Sequence, residues 1–317
     1  MKKHVVIVGA GFAGINVAKQ LRSTNYNITI VDKSNHHLFQ PLLYQVATAA
    51  LSPGDIAIPI RALFTKQKNI NVMMGEVTRI DKEKRVLGFA DGEELSFDYL
   101  IMAPGAQYNY FGNESWKKHA PGLKSLKNAL SIRERILTSL EKAEKIIDAD
   151  KRKPYLTYVV IGAGPTGVEM AGSIAEIAKR NMMRDYRNFS PDETRIYLVE
   201  AMDKVLGAFP EPLPDSARED LEKMGVQVLL NSPVKDITES GVQLEDQFIE
   251  TPNVIWGAGV SAAPVLSELN EEQDRIGRVI VNSDLSISSD PNIFVLGDAA
   301  HFKDDEGNPL PGLAPVA

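Results

Sequence analysis

The sequence predicts an α/β protein made of two domains built on parallel sheets, the second inserted in the first, with small antiparallel meanders attached. Three observations lead there. Val6-Ile7-Val8-Gly9-Ala10-Gly11-Phe12-Ala13-Gly14 recurs almost letter for letter as Val159-Val160-Ile161-Gly162-Ala163-Gly164-Pro165-Thr166-Gly167. Each copy follows a short β-branched run and leads into a helical pattern, the context that a strand-turn-helix unit requires. The 317 residues suffice for two domains at roughly 150 residues each.

The first unit opens with an apolar strand at 4–8, after which Ile15, Ala18 and Leu21 keep helical spacing and residues 27–31 form a second strand ending at Asp32. Residues 71–99 hold short alternating runs around an Asp91-Gly92 turn signal, read as an antiparallel meander. Residues 97–102 form a buried strand that stops at Pro104-Gly105. From 123 to 148 runs a charged amphipathic helix with Leu126, Leu130, Ile132, Ile136 and Leu140 on its packed side. Its basic residues are balanced by Glu134, Glu141 and Glu144, as on a solvated face rather than a polyanion site. The second unit repeats the order: strand 157–161, a helix carrying Val168, Ala171, Ile174, Ala175 and Ala178, then strand 195–199 ending at Glu200. Strands at 226–230 and 253–256 flank a hairpin at 241–250, the latter strand closing on Gly257-Ala258-Gly259. Runs at 279–281 and 293–296 lead to Gly297-Asp298. This order divides the chain into an outer domain, 1–111 plus 275–317, and an inserted one, 112–274.

A β-α-β unit opened by G-x-G-x-x-G is the Rossmann-like arrangement that binds dinucleotides. The first glycine permits the tight bend, the second lets the backbone approach a pyrophosphate, and the third lets the helix pack on the strand. The anion then sits at a helix N-terminus, among unpaired N–H groups. Gly9, Gly11 and Gly14 form one such loop; Gly162, Gly164 and Gly167, with Thr166, form the other. Asp32, with Lys33 beside it, and Glu200 stand at the second-strand ends, where a carboxylate accepts hydrogen bonds from ribose hydroxyls. A carboxylate at 200 also repels a 2′-phosphate, so NADH is expected over NADPH. Asp32 follows Gly14 by 18 residues and Glu200 follows Gly167 by 33, the longer gap being placed in an insertion at 179–192. Two dinucleotide sites in one chain point to FAD and NADH, placed for hydride transfer.

Composition removes other classes. The chain has no cysteine, which excludes disulfide frameworks, thiolate zinc sites, Fe–S clusters, Cys nucleophiles and dithiol relays. A net charge of −7 has the wrong sign for a protein that neutralises nucleic-acid phosphates. The five histidines show no metal-site spacing. The N-terminus passes from Met1-Lys2-Lys3 straight into a strand, without the small-residue cleavage site of a leader. No apolar run reaches the roughly 18 residues of a membrane span, so a cytoplasmic, non-spanning chain is expected.

The duplicated fingerprint, Asp98-Tyr99-Leu100-Ile101-Met102-Ala103-Pro104-Gly105, and Asn292-Ile293-Phe294-Val295-Leu296-Gly297-Asp298 resemble the two-dinucleotide flavoprotein disulfide reductase superfamily over nearly the whole chain. The resemblance implies FAD against the first loop, Pro104, Gly105, Gly297 and Asp298, with Asp298 on a ribityl hydroxyl, and NADH against the second loop and Gly259. Lack of cysteine excludes glutathione- and thioredoxin-reductase-like enzymes, persulfide-using sulfide:quinone reductases and Cys-sulfenate peroxidases. Three segments more closely resemble type II NADH dehydrogenases, the non-proton-pumping NADH:quinone oxidoreductases of respiratory membranes. They are His36-His37-Leu38-Phe39-Gln40-Pro41-Leu42-Leu43-Tyr44-Gln45-Val46-Ala47-Thr48, Pro165-Thr166-Gly167-Val168-Glu169 and Pro311-Gly312-Leu313-Ala314-Pro315-Val316.

That family resemblance implies hydride transfer from NADH to the flavin, followed by reduction of a quinone. Glu169, two residues past the third glycine, is then expected to orient the nicotinamide carboxamide or take part in proton transfer to quinone, and Tyr44 and Gln45 to line the flavin and quinone. His36 and His37 are read as packing rather than ligands, and Trp256 as strand packing rather than a stacking platform. Family members usually continue past the Ala-Pro segment with a Gln-rich turn, a helix and a C-terminal domain that attaches to the membrane and often forms a homodimer. Because the sequence stops at Ala317, a truncated form is expected, with FAD affinity, quinone reduction and attachment to the cytoplasmic face of the inner membrane impaired. Two other readings share the motifs: a soluble NADH-dependent flavoreductase serving a protein or dye acceptor, and an FAD- and NADH-binding module or redox sensor with little turnover.

Overall fold

The computed structural model describes residues 2–178, 185–312 and 316. The chain forms two compact units, one of Met1–Leu38, Ala57–Gln107 and Val260–Ala317, the other of Phe39–Ile56 and Tyr108–Gly259. Residues 179–184 of the expected insertion, and Leu313, Ala314 and Pro315, lie outside the described residues.

The first unit is organised by a six-stranded sheet in the spatial order Ser286–Ile287, Asp290–Val295, Tyr99–Met102, His4–Val8, Asn27–Asp32, Ile70–Met74. Every neighbouring pair is parallel except the first, a tight antiparallel return at one edge. Val5 to Val8 are buried without a break, which is why the run is apolar throughout rather than alternating. Successive residues feed opposite faces. Val5 and Ile7 pack with Ile28 and Ile30 beside helix α1 (Phe12–Leu21), and Val6 and Val8 pack with Leu100, Met102 and Val295 on the other side.

The meander is shorter than expected. Ile70–Met74 is the outermost parallel strand of the main sheet, and the antiparallel meander is Val77–Asp81, Val86–Phe89 and Glu94–Ser96. An edge strand is only partly covered, so its mixed burial resembles that of a meander strand. Val279–Ile280 lies outside the main sheet and pairs with Ala300–His301.

The second unit has four parallel strands in the order Val226–Leu229, Arg195–Val199, Thr157–Ile161, Asn253–Trp256. It also contains helices α2 (Leu43–Ala47), α3 (Leu126–Lys145), α4 (Pro165–Glu176) and α5 (Leu213–Lys223). Helix α3 starts where Ser125 Oγ accepts the Asn128 N–H, and it buries Ala129, Ile132, Ile136, Leu140 and Ala143. Leu130, expected on that face, is exposed; it lies two positions before Ile132, about 200° around the helix. The expected hairpin gains a third strand, Asp236–Thr238, beside Gly241–Gln243 and Phe248–Glu250.

The units do not divide at the limits read from the sequence. Residues 260–274 go with the first unit, where Ala262, Leu266 and Leu269 join its core. Phe39–Ile56 goes with the second, where Leu43, Val46 and Ala47 are buried as α2 packs on α3 and α4.

Candidate functional site

Both glycine motifs leave the central strand of their sheet and enter a helix whose N-cap is the second glycine, Gly11 for α1 and Gly164 for α4, with no side chain capping either. A helix start without a capping side chain leaves backbone N–H groups for an anion. The glycines differ in what surrounds them. Gly9 has φ +104°, and a Cβ there would lie 2.1 Å from the Ala103 carbonyl oxygen; at Gly162, with φ +95°, it would lie 2.6 Å from the Ala258 nitrogen. At Gly14 and Gly167 a Cβ would sit 1.9 and 1.8 Å from the carbonyl oxygens of Gly9 and Gly162. The fold itself therefore requires the first and third glycines. At Gly11 and Gly164 a Cβ would meet nothing within 4 Å. Both loops thus present bare backbone to open space where a pyrophosphate has to approach, and the residues present fit a dinucleotide at each.

The two acids behave alike. Asp32 accepts the Ala10 N–H at 2.7 Å on one oxygen and the Ser34 N–H at 2.7 Å on the other. Glu200 accepts the Ala163 N–H at 2.7 Å and the Met202 N–H at 3.0 Å. Ala10 and Ala163 hold the same place, between the first and second glycines. Spacings of 18 and 33 residues end in one geometry because register sets it: Val31 pairs with Val8, and Val199 with Ile161, one residue before acid and glycine alike. A carboxylate has about four acceptor positions, so each keeps capacity for a ribose hydroxyl. Lys33 is exposed beside Asp32.

The remaining expected positions surround these loops. In the first unit, Pro104 and Gly105 (φ +72°) follow the Ala103 carbonyl that closes on Gly9. Gly297 (φ +65°) opens the turn that carries Asp298, and Gly312 lies against the Asp298 carboxylate. His37 Nδ1 bonds the Ala10 carbonyl at 2.7 Å and its ring meets Phe12 edge-on, so it buttresses the first loop; the His36 ring instead bonds its neighbour Asn35. In the second unit, Gly259 (φ +63°) lies against Phe111, and Trp256 is buried, stacked on Tyr110 at 5.0 Å with its Nε1–H donated to the Asn109 carbonyl. Tyr108 is half-buried near Thr166, and burial raises its pKa although Leu123 and Thr166 pull it down. Nothing in the sequence around Tyr108 signals this proximity.

Glu169 stands exposed on the first turns of α4, and neighbouring atoms that strip water from its carboxyl hold its pKa above the usual glutamate range. One turn on, the Ser173 hydroxyl meets that of Thr48 at 2.9 Å. Thr48 closes α2, on which Tyr44 and Gln45 are half-buried and the Gln45 amide donates to the Tyr44 hydroxyl at 3.2 Å. Tyr44, Gln45 and Glu169 therefore belong to one compact unit, which the expected domain limits did not anticipate. Among the described residues, no group of three or more His, Asp or Glu converges on a metal position, and no helix is long and apolar enough to cross a membrane.

A family model for pyridine nucleotide-disulphide oxidoreductases matches residues 3–317. The type II NADH:quinone oxidoreductase Ndh of Mycobacterium tuberculosis is 42% identical, the match covering 99% of this chain and 69% of the relative. A second protein of that organism, the type II NADH:quinone oxidoreductase NdhA, is 43% identical over 94% of this chain and 66% of its own length. The chain thus spans about two thirds of these relatives. The solved structure of NDH2 from Plasmodium falciparum in complex with NADH shares the fold, with a TM-score of 0.88 at 24% identity over 95% of this chain and 65% of that one. With a full-length family match and these relatives, the chain belongs to the pyridine nucleotide-disulphide oxidoreductase family and, within it, to the type II NADH:quinone oxidoreductases.

Proposed function

We propose that the protein is an FAD-dependent oxidoreductase that takes a hydride from NADH and passes two electrons to a quinone without pumping protons. The observation that carries this reading is the pair of matched glycine loops, each braced by an acid and open at its second glycine, in a chain without cysteine. FAD belongs to Gly9, Gly11, Gly14, Asp32, Lys33, Pro104, Gly105, Gly297 and Asp298. NADH belongs to Gly162, Gly164, Thr166, Gly167, Glu200 and Gly259. When bound, FAD supplies an isoalloxazine that accepts a hydride and gives up electrons in pairs.

The chain supplies position and charge. The N-termini of α1 and α4 hold pyrophosphates, while Asp32 and Glu200 accept ribose hydroxyls; the negative charge at Glu200 opposes a 2′-phosphate. Glu169, with its raised pKa, accepts an amide N–H from the carboxamide when ionised and carries a proton for the acceptor when neutral. Tyr44 and Gln45 offer a hydroxyl and an amide to quinone oxygens. Without a thiol to store electrons, they leave directly to a diffusible acceptor. The family resemblance extends this reading to a homodimer on the cytoplasmic face of a respiratory membrane, checked by sedimentation and by flotation with liposomes.

The deciding experiment is an anaerobic visible spectrum of the FAD-reconstituted protein, titrated with NADH and then with a short-chain quinone. Bleaching by NADH and recovery with quinone are expected. Recovery only with a protein or dye acceptor overturns the reading in favour of a flavoreductase, and bleaching without recovery in favour of a redox module.

A further inference from the structure

We infer that the buried hydrogen bond between Thr48 and Ser173 is a latch that fixes helix α2, with Tyr44 and Gln45, against the face of α4 that carries Glu169. The inference rests on the proposed function of those three residues. Thr48 and Ser173 are 2% and 9% exposed, and Thr48 borders a small slot that it lines with Ile136, Leu140, Tyr158, Ile174, Ile177 and Ala178. The Thr48 hydroxyl lies 2.8 Å from the Tyr44 carbonyl and 2.9 Å from the Ser173 hydroxyl, where either hydroxyl can be the donor. The contacts link α4 through Thr48 to the backbone of Tyr44.

Valine and alanine would fill these two places with no hydroxyl to desolvate. A buried hydroxyl is unfavourable unless paired, and once paired it tolerates one placement of its partner. The pair therefore specifies where α2 sits rather than adding bulk to the core. Helix α2 is five residues long and ends at Ala47, with a left-handed residue, Ala49 (φ +63°), just beyond its cap, so it is too short to persist by its own hydrogen bonds and takes its place from what it touches. Glu169 and Ser173 are four residues apart, hence on one face of α4. Thr48 and Ser173 are positioning residues for the acceptor side of the reaction.

The test uses the full chain with Thr48→Val, Ser173→Ala, the double variant and Thr48→Ser, which keeps the hydroxyl. In cofactor-free protein, amide hydrogen exchange of residues 44–51 is expected to quicken about tenfold in either single variant, the loss of one net hydrogen bond. The double variant should add little, and exchange in Thr157–Ile161 should stay as it was. After reconstitution, reduction by NADH should stay within about twofold while reoxidation by a short-chain quinone slows about tenfold, and Thr48→Ser should restore it. Unchanged exchange at 44–51 in both single variants overturns the latch, as does equal slowing of the two half-reactions. If the parent protein is itself not reoxidised by quinone, the functional reading fails, and the exchange experiment still judges the latch.

Discussion

Glu200 performs two tasks with one carboxylate, and a substitution can separate them. Its oxygens fix the glycine loop through Ala163 and the following turn through Met202, and in the proposed function its charge also faces the ribose. Glu200→Gln keeps an acceptor for one N–H and sets an amide NH2 against the other, which should cost about 1–2 kcal/mol in urea unfolding. Loss of the charge should raise the KM for NADH and narrow the preference over NADPH by about tenfold, a ratio of kcat/KM values. An unchanged ratio would mean that the carboxylate does not face the ribose. Glu169 makes a prediction in pH. Its carboxyl titrates above the ordinary glutamate value because desolvation penalises its charge. The fold therefore favours the protonated form, and this residue's contribution to stability falls as pH rises from the ordinary glutamate pKa through the raised one. Glu169→Gln should remove that slope from unfolding curves and remove the acidic limb from the pH profile of kcat, with kcat itself falling about 100-fold. Loss of kcat with the acidic limb intact would assign the limb to another group.

At the scale of elements, the two glycine loops make opposite predictions for neighbouring positions. Gly164→Ala places a methyl in open space, so the fold should lose only about 1 kcal/mol from the poorer N-cap while NADH affinity falls. Gly167→Ala drives a methyl into the Gly162 carbonyl oxygen and should cost about 3 kcal/mol or more, read as a loss of folded protein by circular dichroism. In the first unit Asp274 joins Arg278 at 2.7 Å and His301 at 3.1 Å, and Arg278 reaches the Leu310 carbonyl, so one carboxylate ties the turn before Val279–Ile280 to the 301–310 segment. Burial alone would raise its pKa, but bonds from Arg278, its backbone N–H and His301 outweigh this and lower it. A lowered carboxyl stabilises the fold above the unfolded pKa and loses that effect as pH falls through the folded one. Asp274→Asn should therefore cost about 2–3 kcal/mol at neutral pH and much less in strong acid, measured by denaturant midpoints. The strands behind each motif were legible because burial on both faces leaves an unbroken apolar run. Ile70–Met74 was not, because a half-covered edge strand and a meander strand carry the same pattern. The allegiance of α2 was not legible either, since Leu43, Val46 and Ala47 declare a buried face without saying which core covers it. Motif glycines could be read from their spacing and the acids from the ends of the second strands, whereas Thr48 on Ser173 joins residues that only the fold brings together.

For the molecule as a whole, the distribution of tryptophan provides a direct test of which unit takes which nucleotide. The chain has two tryptophans, and both Trp116 and Trp256 lie in the core of the second unit, with ring centroids 5.7 Å apart. Indole emission therefore reports unfolding of that unit, while under the proposed assignment the absorbance of bound flavin reports the first. A ligand that binds only folded protein stabilises it by RT ln(1 + [L]/Kd), about 2.7 kcal/mol at one hundred times Kd. NADH at that excess should raise the tryptophan-detected urea midpoint by 2.7 kcal/mol divided by the m-value, with m itself unchanged. Glu200→Gln should need more NADH for the same shift, because the ligand's Kd has risen while the reporter is untouched. Gly11→Ala should leave the NADH-induced shift intact and lower flavin occupancy, since its methyl stands in the other loop. The reverse partition, with Gly11→Ala abolishing the NADH shift and Gly164→Ala sparing it, would move NADH to the first unit, and Glu200 would then lose its role in excluding a 2′-phosphate.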